Sequence, residues 1–162
     1  MQAGSLAVFI PLFRTNKRLF FHSIDGVSTE HLQQRPGDQS NAMIWIAGHL
    51  VSSRLVLTRA VGASIEEPSW NPIFRRGASI EDTIFYPAID EIAAQWKLVS
   101  DRLMNRLNEL SEDDLDGPGE FEVPAGEQTI RGAIAFLNFH ETYHIGQLAY
   151  LRKMFGYGQL VG

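Results

Sequence analysis

The chain has 162 residues, 44% of them hydrophobic and 20% charged, and a net charge of −5; it is expected to form one domain over residues 1–162 with a substantial core. Basic residues run no longer than pairs, Arg75–Arg76 and Arg152–Lys153 among them. These read as solvated loop or face residues, and without a Lys/Arg stripe to neutralise phosphates no nucleic-acid partner is expected. The absence of cysteine excludes disulfides, thiolate metal sites and a cysteine nucleophile.

The N-terminal run MQAGSLAVFIPLF is apolar but short. It lacks a basic leader and is broken by Pro11 and Arg14, so neither a signal peptide nor a membrane span is expected, and the location expected is the cytoplasm. A first helix is predicted from about Ser5 to Ser23, with Leu6, Phe9, Phe13 and Phe20 on its apolar stripe. Pro11 either opens this helix or kinks it. The polar run VSTEHLQQRPGDQS then reads as a connection.

A second helix is predicted from an N-cap near Ser40 to a stop at Gly62, with Ala42, Trp45, Ile46, His49, Ser52, Val56 and Ala60 on one face. The segment from Gly62 to Tyr86 holds Pro68, Pro72 and Gly77 and shows little periodicity. Connections of this length are usually functional or cross the fold. Pro87 is placed at the first position of a third helix, whose stripe is Ile89, Ile92, Trp96, Val99, Leu103, Leu107 and Leu110. After the polar run SEDDLDGPGEFEVPAGEQ, a fourth helix spans about Thr129 to Phe155, with Gly156 as its stop. Its inward stripe is Ala133, Phe136, Leu137, His140, His144, Gln147, Leu148 and Leu151. No segment alternates as a strand does, and four amphipathic helices imply an all-α four-helix bundle.

Five histidines punctuate this pattern. His31 reads as a solvated loop residue, and His22, in the last turn of the first helix, complements the helix dipole. His49, by contrast, interrupts an apolar stripe, although one such histidine is more often a hydrogen-bonded core residue than a ligand. His140 and His144 are i, i+4 neighbours on one helix face, the spacing that lets two imidazoles share a metal. Three neutral imidazoles buried without partners would cost a few kcal/mol each, roughly, and a metal satisfies all of them at once. Three such ligands with an open fourth position describe a catalytic type of site. Nitrogen donors suit zinc, nickel, iron or cobalt better than magnesium or calcium.

The run His140-Glu141-Thr142-Tyr143-His144 also matches H-E-x-x-H, in which the Glu is a protease's general base. That reading lacks its usual downstream ligand, because IGQLAYLRKMFGYGQLVG holds no His, Asp or Glu. Glu141 could form an ion pair, support a ligand's second nitrogen or face solvent, and no catalytic residue is assigned. Trp45 and the segment from Trp70 to Phe74 are the expected sources of substrate-pocket residues, although core packing accounts for them equally well.

The runs NAMIWIAGHLVSSR and HETYHIGQLAYLRK, with the long connection between them, resemble the DinB/YfiT-like superfamily of metal-dependent enzymes over nearly the whole chain. The H-x-x-x-H-x-G-Q element is the most specific part of the match. The resemblance implies an up-down-down-up bundle with a long crossover between the second and third helices, and a metal triad of His49, His140 and His144. It also implies a divalent ion, zinc or nickel ahead of iron, cobalt or manganese, and a homodimer. Members with a known activity include enzymes that use low-molecular-weight thiols. The expectation is therefore a metal-dependent thiol transferase or a hydrolase acting on a small-molecule substrate, with a thiol cosubstrate in the first case. A non-catalytic metal-binding or stress-response bundle is the alternative, which a fourth protein ligand such as Glu141 or His22 would favour. A metal-free bundle acting through dimerisation is the third reading.

Overall fold

The computed structural model describes residues 4–78, 85–119, 122–124 and 126–161; parts of the two long connections, residues 79–84 and 120, 121 and 125, lie outside that range. Among the described residues six α-helices follow one another: α1 (Phe9–Ile24), α2 (Thr29–Gln33), α3 (Met43–Ala60), α4 (Ile89–Glu109), α5 (Glu112–Asp116) and α6 (Ile130–Met154). There is no strand among the described residues, and none of the helices is long and apolar enough to cross a membrane.

The four long helices form a ring in which α1 packs on α6 and α4, and α3 packs on α6 and α4. Side-chain bonds fix their directions. Asn16 bonds Glu141 and Thr142 while Arg152 bonds the carbonyls of Ser23 and Asp25, so α1 and α6 run parallel. Arg54 bonds Ser100 and Arg106 bonds the Val61 carbonyl, so α3 and α4 are parallel as well. Phe20 stacks on Trp96 and Lys17 pairs with Asp101, so α1 opposes α4. The topology is the up-down-down-up bundle expected, and it obliges the chain between α3 and α4 to travel back along the bundle.

Several local expectations change. Ser40 is engaged in a turn, its N–H donating to the Gly37 carbonyl, and α3 starts at Met43. The third long helix opens at Ile89, two residues after Pro87, with Asp90 and Glu91 complementing its N-terminal dipole. Pro11 lies within the first turn of α1, where its missing N–H leaves no helix bond unmade. The polar connections contain α2 and α5, capped by Ser28 and by a Ser111–Asp114 capping box. His31 is not a solvated loop residue: it stacks on Phe155 at 4.7 Å and bonds the Tyr157 hydroxyl at 2.8 Å, tying α2 to the C-terminal tail. His22 is exposed in the last turn of α1, as expected.

Among the described residues the core forms two hydrophobic clusters, one around Phe20, Trp96, Val99 and Ile145, the other around Phe13, Leu57, Leu103 and Leu137. Between them lies a polar layer with one residue from each long helix: Asn16, Arg54, Ser100 and Glu141, all buried. α3 is buried nearly all round because α2 and the returning connection cover what the bundle leaves open. Val56, placed inward by periodicity, is the exception at 42% exposure, and it faces a cleft.

Candidate metal centre

α3 contributes His49, and α6 contributes His140 and His144 one turn apart. The Nε2 atom of His140 lies 3.3 Å from that of His49 and 3.1 Å from that of His144. The three rings offer ligand atoms that all lie within 4.8 Å of one another. A tetrahedral zinc with bonds of 2.0–2.1 Å separates its nitrogen ligands by about 3.3 Å. The spacing fits such an ion.

Ring orientation fits as well. His49 Nδ1–H donates to the Phe74 carbonyl at 2.6 Å, and His144 Nδ1–H donates to Gln147 Oε1 at 2.7 Å. Each of these bonds leaves the Nε2 lone pair free and turned inward. Two lone pairs facing a third ring nitrogen are the donor set a divalent cation satisfies. The Nδ1 of His140 is buried without a partner among the described residues. Burial is the main force that lowers the pKa of all three rings, taking His140 and His144 down to about 4. For His140 the neighbouring charges of His144, His49 and Arg76 act in the same direction. The rings are therefore neutral, the ligating form, at neutral pH.

The supporting elements are local. Trp45, one turn before His49, stacks on its ring at 4.8 Å and 11°. Phe74 ends a 3₁₀ turn (Asn71–Phe74) in the returning connection and is fully buried. Its ring lies where a Cβ on Gly48 would be, 2.4 Å from the nearest ring carbon, so only glycine beside His49 lets the connection dock. Trp45 and Phe74 thus shape the histidines from behind; neither they nor Trp70 line the open cleft, and of the segment expected to supply pocket residues Asn71 does. The cleft, about 580 Å³, exposes His49 and His140 on one wall, with Val56, Phe136 and Leu137 as apolar surface and Arg59, Arg75 and Arg76 on the rim.

Glu141, the second residue of the H-E-x-x-H match, points away from this cleft. Its two oxygens accept from Arg54 Nε at 2.7 Å and Nη2 at 2.6 Å, and both side chains are 1% exposed. Arg54 also donates to Ser100 at 2.5 Å and lies 3.7 Å over the Trp96 ring. A carboxylate so engaged cannot act as a protease's base, and it is not a fourth ligand. His22, exposed at the far end of α1, is not one either. Among the described residues the cluster contains three candidate ligands and no more.

Sequence reasoning missed Arg54, the Phe74 carbonyl and the placement of Arg75 and Arg76 beside the histidines. Arg54 left a signal, being a cation in the middle of an otherwise apolar helix. A backbone carbonyl leaves none.

The model of the DinB superfamily matches residues 12–148 of this chain. Three solved structures share the fold. A DinB-like protein from Bacillus cereus ATCC 10987 is 18% identical, with 93% of each chain covered and a TM-score of 0.71. YfiT from Bacillus subtilis, described as a probable metal-dependent hydrolase with an unusual four-helix bundle topology, is 12% identical, with 93% of this chain and 87% of that one covered and a TM-score of 0.68. A second Bacillus subtilis protein, also DinB-like, is 16% identical over 94% of this chain and 95% of the other, at a TM-score of 0.64. No curated protein sequence matches the chain. With a family match that covers most of its length and a bundle that brings His49, His140 and His144 together, the chain belongs to the DinB superfamily.

Proposed function

We propose that this protein is a metal-dependent enzyme acting on a small molecule, with His49, His140 and His144 holding a divalent ion at the wall of the cleft. The observation that carries this reading is the convergence of three Nε2 atoms beside an open cavity with no fourth protein ligand among the described residues. A closed site would indicate a structural ion. A bound ion would supply Lewis acidity, lowering the pKa of a thiol or water molecule at its open position. Nitrogen donors suit a transition metal, and the family resemblance favours zinc or nickel ahead of iron, cobalt or manganese.

The residues of the chain do the rest. His49 and His144 are held in the ligating tautomer by Phe74 and Gln147. Val56, Phe136 and Leu137 give the substrate an apolar wall that excludes water. With no cysteine of its own, the protein would take any thiol nucleophile as a diffusible cosubstrate, and thiol transfer to an electrophile is the reaction we favour. Hydrolysis, the activity ascribed to YfiT, is the second reaction of the same site. A cytoplasmic protein with small-molecule partners completes the reading. The homodimer expected from the family belongs to it too: α6 leaves Phe139, Tyr143, Tyr150 and Met154 exposed within one arc of its surface, where a second copy would pack. Light scattering behind a sizing column should then give twice the chain mass, and a monomer at all concentrations would remove the dimer.

Activity is tested by assaying zinc-loaded, nickel-loaded and chelator-treated protein with a panel of small thiols and a chromogenic aryl halide, and separately with chromogenic esters and amides. Turnover should require metal and disappear in His49→Ala. Equal rates with and without metal, or none with any substrate class, would remove the enzyme reading.

A further inference from the structure

We infer that the cleft beside the three histidines takes a small organic anion, its carboxylate or phosphate held by Arg75 and Arg76 and its apolar body lying along Val56, Phe136 and Leu137. The inference rests on the reading of that cleft as a substrate site and names the class of substrate.

Three guanidinium groups, those of Arg59, Arg75 and Arg76, line a cavity whose lining includes one carboxylate, Glu122, among the described residues. In a chain of net charge −5 this is a local reversal of sign, and low-dielectric walls focus such a field on whatever enters. One further carboxylate stands behind the rim. Glu67 accepts from Arg59 at 2.9 Å and from Arg75 at 2.5 Å, with Asn71 donating at 2.7 Å. It offsets one of the two charges it touches. Arg76, exposed next to them, has no hydrogen-bond or ion-pair partner among the described residues, and its charge reaches the His140 ring.

An arginine fork matches the paired oxygens of a carboxylate or phosphate, which is why guanidinium groups gather where such anions are read. The wall between the arginines and the histidines adds two hydroxyls, Ser52 and Ser53, three and four residues after His49 and so on the same side of α3. Neither hydroxyl has a partner among the described residues, and each can donate to a polar group of the ligand. A cavity of about 580 Å³ holds a molecule of metabolite size. The apolar surface on one wall and the cations on the rim then set its orientation, with the anionic end at the returning connection and the remainder near the metal.

The test is calorimetric titration of the full chain, both metal-loaded and metal-free, with hexanoate, hexyl phosphate and hexanol. At least one anion should bind about tenfold more tightly than hexanol in both metal states, weakening as salt rises. Arg76→Gln combined with Arg75→Gln should reduce that preference to about threefold or less with metal content unchanged. The tighter of the two anions tells a carboxylate site from a phosphate site. Hexanol binding as well as the anions, or an anion preference that survives the double substitution, would overturn the inference. Anion binding confined to metal-loaded protein and indifferent to the arginines would place the anion on the ion itself, sinking this inference while leaving the metal centre standing. Arginine-dependent binding in a protein that never takes up metal would do the reverse.

Discussion

His144 and Gln147 lie three residues apart, and the amide oxygen of the second decides what the first can do. With Nδ1–H committed to that oxygen at 2.7 Å, the ligating nitrogen is Nε2 and the ring cannot turn. Gln147→Ala should therefore weaken metal binding by about 10- to 100-fold without unfolding the protein. Chelator competition reads this directly, and unchanged affinity would show that the hydrogen bond is incidental. His49 has its equivalent in the Phe74 carbonyl, which no side-chain substitution removes. Gly48→Ala reaches it indirectly, because the new methyl group would displace the Phe74 ring and with it the connection. Lower metal affinity and a lower melting temperature should appear together, and a variant that binds metal as the parent does would show that the connection can shift freely. At this scale the histidines were legible because imidazoles on apolar stripes are rare and costly. Gln147 stood on the same predicted stripe, but the Phe74 carbonyl was out of view, being a backbone atom from a segment without periodicity.

Each long helix has to satisfy more than one neighbour, and α6 shows how that is written into its sequence. One face carries His140 and His144, a second carries Ile134, Asn138, Glu141 and Ile145 into the bundle, and a third stays exposed at Phe139, Tyr143 and Tyr150. A single inward stripe captured the first face and missed the second, and α3, buried on nearly every side, defeats any one-stripe description. The buried ion pair between Arg54 and Glu141 joins these two helices in the polar layer next to the three histidines. Removing one member leaves an uncompensated charge, so Arg54→Met should cost about 3–5 kcal/mol in denaturant unfolding. Arg54→Met with Glu141→Met should regain a large part of that loss. A double variant no more stable than the single one would mean that the pair contributes chiefly through Asn16 and Ser100, its neighbours in the layer.

In the whole molecule, parallel pairs α1–α6 and α3–α4 force the chain to return along the bundle, and that return delivers Phe74, Arg75 and Arg76 to the histidines. Four helices were readable from periodicity and their stops from Gly62 and Gly156, both at positive φ in the structure. The short helices α2 and α5 lay hidden in polar runs because five residues are too few for a stripe to show, although their serine caps were in view. The three-histidine centre also ties stability to pH. Burial holds His140 and His144 at about 4, below the free value of 6.5. Their contribution to stability in metal-free protein is therefore complete above pH 6.5 and lost as pH falls toward 4. The melting temperature of chelator-treated protein should drop across that window, and the drop should be smaller in a His140→Leu, His144→Leu variant. A drop of equal size in both would assign it to carboxylates.

The proposed centre holds one metal ion on three histidines from two helices. Elemental analysis of tag-free protein, purified without added metal and then saturated with zinc and desalted, tests it most directly. One ion per chain is expected in the parent and none retained in His49→Ala, with both proteins folded by circular dichroism. A parent that retains no zinc, or a folded His49→Ala that retains as much as the parent, would contradict it.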